Sequence, residues 1–209
     1  MRTILLYLLA AVCLLQPVCV HAEESKSENA RRAREMFESC FKRIYGEQGS
    51  SFGYDVNIFG LYKTKGHITN KGKKTKYVGD KNTTWKNEKV VYSVYPKKKT
   101  VEVWPAENEE RDKYSSKFKF SVDEFNYSYT VSGSNYVITC KPKQSKSFGI
   151  SEARVTLRKS DQVPVHVMAK VAFIKCNVDI TDFQSGNIDD AVFVFPREKY
   201  KDYTFVDKR

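Results

Sequence analysis

The chain is short of catalytic hardware. Its 209 residues include only three histidines, His21, His67 and His166. None stands in a His-Glu-x-x-His spacing, and the sequence has no Cys-x-x-Cys pair. A nucleophile and base can be assembled from distant positions; no enzyme, metal or cofactor is expected here. Long apolar runs are also scarce. One lies at the N-terminus, and nothing after it approaches the ~20 residues that span a bilayer as a helix. No solenoid or propeller period recurs. Acidic residues are in the minority, 25 against 36 basic, which leaves a net charge of +11.

The N-terminal run reads as an address. Arg2 precedes an apolar stretch from Ile4 to Leu15, and Val20-His21-Ala22 offers small residues for cleavage. That is the pattern of a secretory signal peptide over residues 1–22, too short for an anchor. Residues 23–209 then suit a single domain with a real core. Cys40, Cys140 and Cys176 remain outside the leader. Export permits one disulfide, for which Cys140 and Cys176, both in strand-like runs, are the candidate pair; three separate buried thiols are the equal alternative.

Two periodicities divide the rest. Over residues 27–45 the apolar positions Ala30, Ala33, Met36, Phe37, Cys40, Phe41 and Ile44 recur at steps of three and four, which predicts an amphipathic helix. Ser25 and Glu28 suit a capping box at its start. From Phe52 the period changes to two, with Tyr54, Val56 and Ile58 alternating with polar residues. Strands are predicted at Lys74–Val78, Thr83–Lys86, Lys89–Tyr95 and Thr100–Trp104, joined by hairpin-length turns. Residues 105–117 are charged and suit a loop or short second helix. Alternation resumes at Phe118 and Phe120, then through residues 127–131, 136–141, 150–158 and 163–173. At Lys175 the apolar parity flips, which signals a bulge or tight turn. Phe193 and Phe195 suggest a final strand.

About ten strands and one or two helices predict a mainly β fold, an antiparallel meander. One apolar face must be buried by a sandwich, a barrel or a covering element. The 13 Phe and 13 Tyr residues can fill a packed core or line a partly filled cavity; the pattern is compatible with both. Lysine clusters at 71–76, 97–99 and 141–146 fall at turns and strand edges, where they guard against edge pairing. For an exported chain they point to anionic lipid headgroups or an acidic partner rather than to nucleic acid.

Three stretches carry a resemblance. VGDKNTTWKNEKVVYSVYPKKKTVEV, NYSYTVSGSNYVITCKPKQSKSFGISEARVTLRK and GNIDDAVFVFPREKYKDYTFVD, with the leading helix, resemble the periplasmic outer-membrane lipoprotein carriers, the LolA-like family, over nearly the whole exported chain. The resemblance implies an incomplete antiparallel β-barrel with a helical lid. It also implies a protein of the Gram-negative periplasm that carries lipoprotein acyl chains or another lipid between membrane-bound donor and acceptor proteins. On that reading Met36, Phe37 and Phe41 belong to the lid. Tyr54, Val56, Ile58, Trp85, Tyr92, Val94, Val101, Val103, Phe118 and Phe120 face the cavity. One departure is visible: where the carriers have a Lys-Arg-Pro stretch whose Arg latches the lid, this chain reads Lys71-Gly72-Lys73. The alternative reading is a secreted binding or adhesion module that uses the same sheet without a cavity. Oligomeric state is not legible in the sequence.

Overall fold

The computed structural model describes residues 16–58, 62–107, 122–144, 150–171 and 174–209. Helix α1 spans Gln16–Tyr45. It begins well before the expected cap, because Ala22-Glu23-Glu24-Ser25-Lys26 contains no helix breaker and is mostly good helix former. Ser25 and Glu28 therefore lie inside the helix. The proposed leader lies partly outside the described residues, as do the second-helix candidate from residue 108 onward, Phe118 and Phe120. Among the described residues no helix is long and apolar enough to cross a membrane.

Among the described residues twelve strands form one sheet. They are β1 (Ser50–Ile58), β2 (Tyr62–Lys71), β3 (Lys74–Gly79), β4 (Thr83–Lys86), β5 (Val90–Tyr95), β6 (Thr100–Pro105), β7 (Phe125–Ser132), β8 (Asn135–Pro142), β9 (Ile150–Arg158), β10 (Pro164–Val171), β11 (Ile174–Ser185) and β12 (Thr204–Asp207). Their spatial order is β12-β6-β5-β4-β3-β2-β1-β11-β10-β9-β8-β7. Two meanders, β1–β6 and β7–β11, are thus joined where β1 pairs with β11, and the sheet ends in two edges, β12 and β7. All pairs are antiparallel except β12, which lies parallel to β6. This is the incomplete antiparallel barrel that the resemblance implied, an open sheet not closed on itself.

β2 was not legible, because YKTKGHITNK alternates mostly polar residues. The parity flip near Lys175 is a tight hairpin, with Val171 opposite Ile174. The expected final strand at Phe193 and Phe195 is instead a coiled segment. Two 3-10 turns, Asp190–Phe193 and Arg197–Tyr200, flank Pro196, and the true last strand is β12. The Asp189 carboxylate accepts the Ala191 N–H at 2.9 Å and sets the first of these turns.

In-register neighbours share a face of a sheet, so the pairing sorts the side chains. One face carries Phe52, Tyr54, Val56, Val178, Val167, Val155, Ile138 and Tyr129. Helix α1 packs on this face. Ala33, Phe37 and Cys40 are buried with Phe125, Tyr127, Ile138, Cys140, Val155 and Leu157. The opposite face carries Trp85, Tyr92, Val94, Val101 and Val103. There the C-terminal segment supplies the cover, with Tyr200 buried and Phe195 packed against the same cluster.

Candidate ligand-binding face

The helix lies along β7, and its C-terminal end reaches the start of β1 and the end of β2. The Asn29 amide donates to the Tyr129 carbonyl at 2.9 Å and accepts the Tyr129 N–H at 3.0 Å. It thus treats the free edge of β7 as a neighbouring strand would. Ser50 Oγ donates to the Ile44 carbonyl at 2.7 Å. Arg43 donates to the carbonyls of Asp161 and Gln162 at 3.0 and 3.2 Å, and lies 5.4 Å from the Phe183 ring. A left-handed Asp182, φ 50°, inserts an extra residue in β11 and keeps Phe183 on the helix side, 5.9 Å from Phe52. On the solvent side of the helix Arg31 and Arg32 both bond the Glu28 carboxylate, which holds it down at about 2.

Beyond the helix the same face stays apolar and opens. One row crosses the sheet from Val155 through Val167 and Val178 to Val56. The next runs from Cys140 through Ala153, Ala169 and Cys176 to Ile58. At the β8 and β9 end these rows are buried under α1. Val167, Val178, Val56, Ala169, Cys176 and Ile58 are only half-buried, and Ile174 is 37% exposed. A continuous apolar floor therefore runs from beneath the helix into the distal half of β10, β11 and β1. The helix contributes a second apolar surface. Phe37, Phe41 and Tyr45 form a ladder with ring centroids 6.4 and 4.8 Å apart, and Phe41 and Tyr45 are 37% and 51% exposed. Beside it a cleft of about 280 Å³ is lined by Arg32, Glu35, Met36, Tyr129, Tyr136 and Gln162.

The expected cavity residues are thus divided. Tyr54, Val56 and Ile58 lie on the helix face. Trp85, Tyr92, Val94, Val101 and Val103 lie on the other, under the C-terminal segment. Trp85 meets Phe195 and Tyr200 edge-on at 5.5 and 6.0 Å, and Tyr92 stacks on Phe195 at 4.3 Å with the rings 7° from parallel. Sequence alternation showed that each strand had an inside but not that the inside changes face across the sheet. The residues missed are Ala169, Cys176 and Val178. The signal for Cys176 and Val178 was the parity restart after Lys175, and that for Ala169 was the strict alternation through residues 163–173.

Cys40, Cys140 and Cys176 are free thiols. Cys140 and Cys176 share a row but have two strands between them, about 14 Å at the usual strand spacing. A disulfide needs Cα atoms within about 7 Å, so the candidate pair is not formed. Burial pushes the Cys40 thiol up to about 11 and the Cys140 thiol up to about 12. Lys71 and Lys74 hold the Asp190 carboxylate at 3.2 and 2.8 Å and so pin the C-terminal segment rather than the helix. His67 and His166 lie on the face away from α1: His67 shares a hydrogen bond of 2.7 Å with Ser51, and His166 one of 2.7 Å with Asp179.

No protein-family model and no curated protein matches the sequence. Solved structures do. An uncharacterized conserved protein from Thermus thermophilus aligns at a TM-score of 0.56 and 11% identity, over 85% of this chain and 99% of that one. This likeness is one of fold. The Mycobacterium tuberculosis lipoprotein LppX aligns at a TM-score of 0.48 and 9% identity, over 76% and 99% of the two chains. A LolA superfamily protein from Nitrosomonas europaea aligns at 0.37 and 6%, over 78% and 97%.

Proposed function

We propose that the chain is a non-catalytic exported carrier that reversibly holds the acyl chains of lipoproteins, or another lipid, against the helix face of the sheet. The half-open apolar floor formed by Val56, Ile58, Ala169, Cys176 and Val178 carries this reading. It is continuous with the floor of a packed core, yet it lies beyond that core and is lined by small residues. Each CH₂ laid on it leaves water at a gain of about 0.8 kcal/mol. Met36, Phe37 and Phe41 on α1 act as the lid, because a helix tied down through side chains shifts at low cost and Met adapts to the new contact. The leader at residues 1–22 delivers the domain to the periplasm of a Gram-negative bacterium, where membrane-bound donor and acceptor proteins load and unload it.

The test is titration of residues 23–209 with a fluorescent acyl probe, alongside Ala169→Trp and Cys176→Trp. Saturable binding by the unaltered domain is expected, weakened about tenfold or more by either filled floor at unchanged far-UV circular dichroism. The reading fails if the probe does not saturate, or if both variants bind it as the parent does.

A further inference from the structure

The strands have two ends. At one, the chain leaves α1 and enters β1 at Ser50. At the other, β1 finishes at Ile58, and the half-open apolar floor lies towards this distal end. Hairpin connections alternate between the ends, so the β3–β4 and β5–β6 turns are distal as well. The β5–β6 turn is Pro96-Lys97-Lys98-Lys99, a 3-10 turn closed by the Lys99 N–H on the Pro96 carbonyl at 3.1 Å. Lys99 takes a left-handed φ of 47°. Three consecutive lysines thus project from one tip. Among the described residues none of them pairs with a carboxylate, and Lys98 Nζ instead sits 5.8 Å above the Tyr95 ring. The C-terminal segment adds to the same tip, since the Thr204 N–H donates to the Lys99 carbonyl at 2.9 Å. This brings exposed Lys201 and half-buried Tyr203 alongside. Asp80 and Asp202 are the acids in the adjoining turns.

The contrast with the helix surface is one of pairing. There Arg31, Arg32 and Arg34 are bonded to Glu28, Glu35, Glu38 and Asp123. Residues 71–104 hold ten lysines against three acids, and of the ten Lys71 and Lys74, at the opposite end of the strands from the tip, are paired with Asp190. Unneutralised lysines beside tyrosines suit an anionic lipid surface. Each basic residue near such a surface gains about 1 kcal/mol, and amphipathic rings settle at headgroup depth.

We infer that the Lys97–Lys99 tip docks the protein on an anionic bilayer with the distal end of the strands facing the lipid. The docking is argued from charge alone. The further point, that it presents the open floor for cargo exchange, rests on the carrier reading.

The experiment is flotation of residues 23–209 with phosphatidylcholine vesicles and with vesicles half phosphatidylglycerol, at low and high salt. The comparison is the Lys97→Gln, Lys98→Gln, Lys99→Asn triple variant, in which Asn accepts the left-handed position. Expected are binding only to the anionic vesicles, loss at high salt, and a decrease on the order of 100-fold in the triple variant. Equal binding to both vesicle types, or a triple variant as good as the parent, overturns the docking. So does duplex DNA competing as well as anionic vesicles, which would make the tip a general polyanion site. Acyl-probe titration without vesicles separates the two readings. A triple variant that keeps its probe affinity but loses vesicle binding supports docking at the tip. If the parent docks but takes no probe, docking stands and the carrier reading falls.

Discussion

Two covers close this sheet, on opposite faces and by different means. Over β7–β9 the cover is α1, and its described hydrogen bonds to the sheet run through side chains: Asn29, Arg43 and Ser50. Over β4–β6 it is the C-terminal segment, whose last residues are hydrogen-bonded into the sheet as β12. Its aromatic rings interleave with those of the strands, and Lys71 and Lys74 clamp its start through Asp190. A cover that is part of the backbone ladder cannot lift without breaking the sheet, whereas one hung from side chains can. Of two apolar faces, then, the one under the helix is suited to exchange.

The sharpest way to break that comparison is Trp85→Ala. The indole is 5% exposed and sits between Phe195, Tyr200 and the Lys76 ammonium, 5.6 Å from the ring. Its loss should cost about 3–5 kcal/mol of unfolding free energy in urea. A cost under about 1 kcal/mol would mean that the C-terminal segment is loosely laid on and that the two covers are alike.

A smaller effect separates the halves by pH. Cys40 and Cys140 belong to the helix-covered core, and the aromatic cluster contains no cysteine. Burial raises both thiols, to about 11 and about 12, above the ordinary value near 8.5 in an unfolded chain. The folded form keeps protons that the unfolded form releases. Their contribution is therefore complete below about pH 8.5 and is lost as pH rises towards 11–12. One unit into that window each thiol should remove about 1 kcal/mol. Urea midpoints from pH 8 to 10 for the parent and a Cys40→Ala, Cys140→Ala variant isolate the thiols from lysine and tyrosine titration. Parallel curves would show that neither thiol is held dry by the helix.

The hairpins β3–β6 were legible because their turns are short and polar and their strands alternate Val, Tyr and Trp with Lys, Ser and Glu. The helix stripe from Ala33 to Ile44 was legible for the same reason at a different period. What local pattern does not contain is the assignment of faces. The alternation of Phe193, Val194 and Phe195 reads as a strand, but Pro196 and the Asp189 cap turn it into a coil that puts two rings inward and leaves Val194 67% exposed. Which face that coil covers depends on a register carried through β1 and β2, and β2 is polar enough to pass for a loop. The candidate floor at Ala169 and Cys176 was hidden likewise, since small residues become a groove only when the pairing places them in one row.

The smallest expected effect bears most directly on the lid. Asn29→Ala removes two hydrogen bonds between α1 and the Tyr129 backbone. The freed groups lie on the free edge of β7 and can turn to water, so the global cost should be near 1 kcal/mol rather than that of an orphaned buried pair. The local consequence should be larger. With its tie to β7 gone, α1 should open more often while the aromatic half stays closed, because β12 and the Trp85 cluster belong to the other end of the sheet order and to a separate core cluster. Amide hydrogen exchange is the measurement that resolves this. Faster exchange is expected in residues 27–45, with β5, β6 and β12 unchanged. If exchange rose equally in both halves, helix and sheet would open as one cooperative unit. The apolar floor would then be reachable only by unfolding, and a displaceable lid would have no physical basis in this fold.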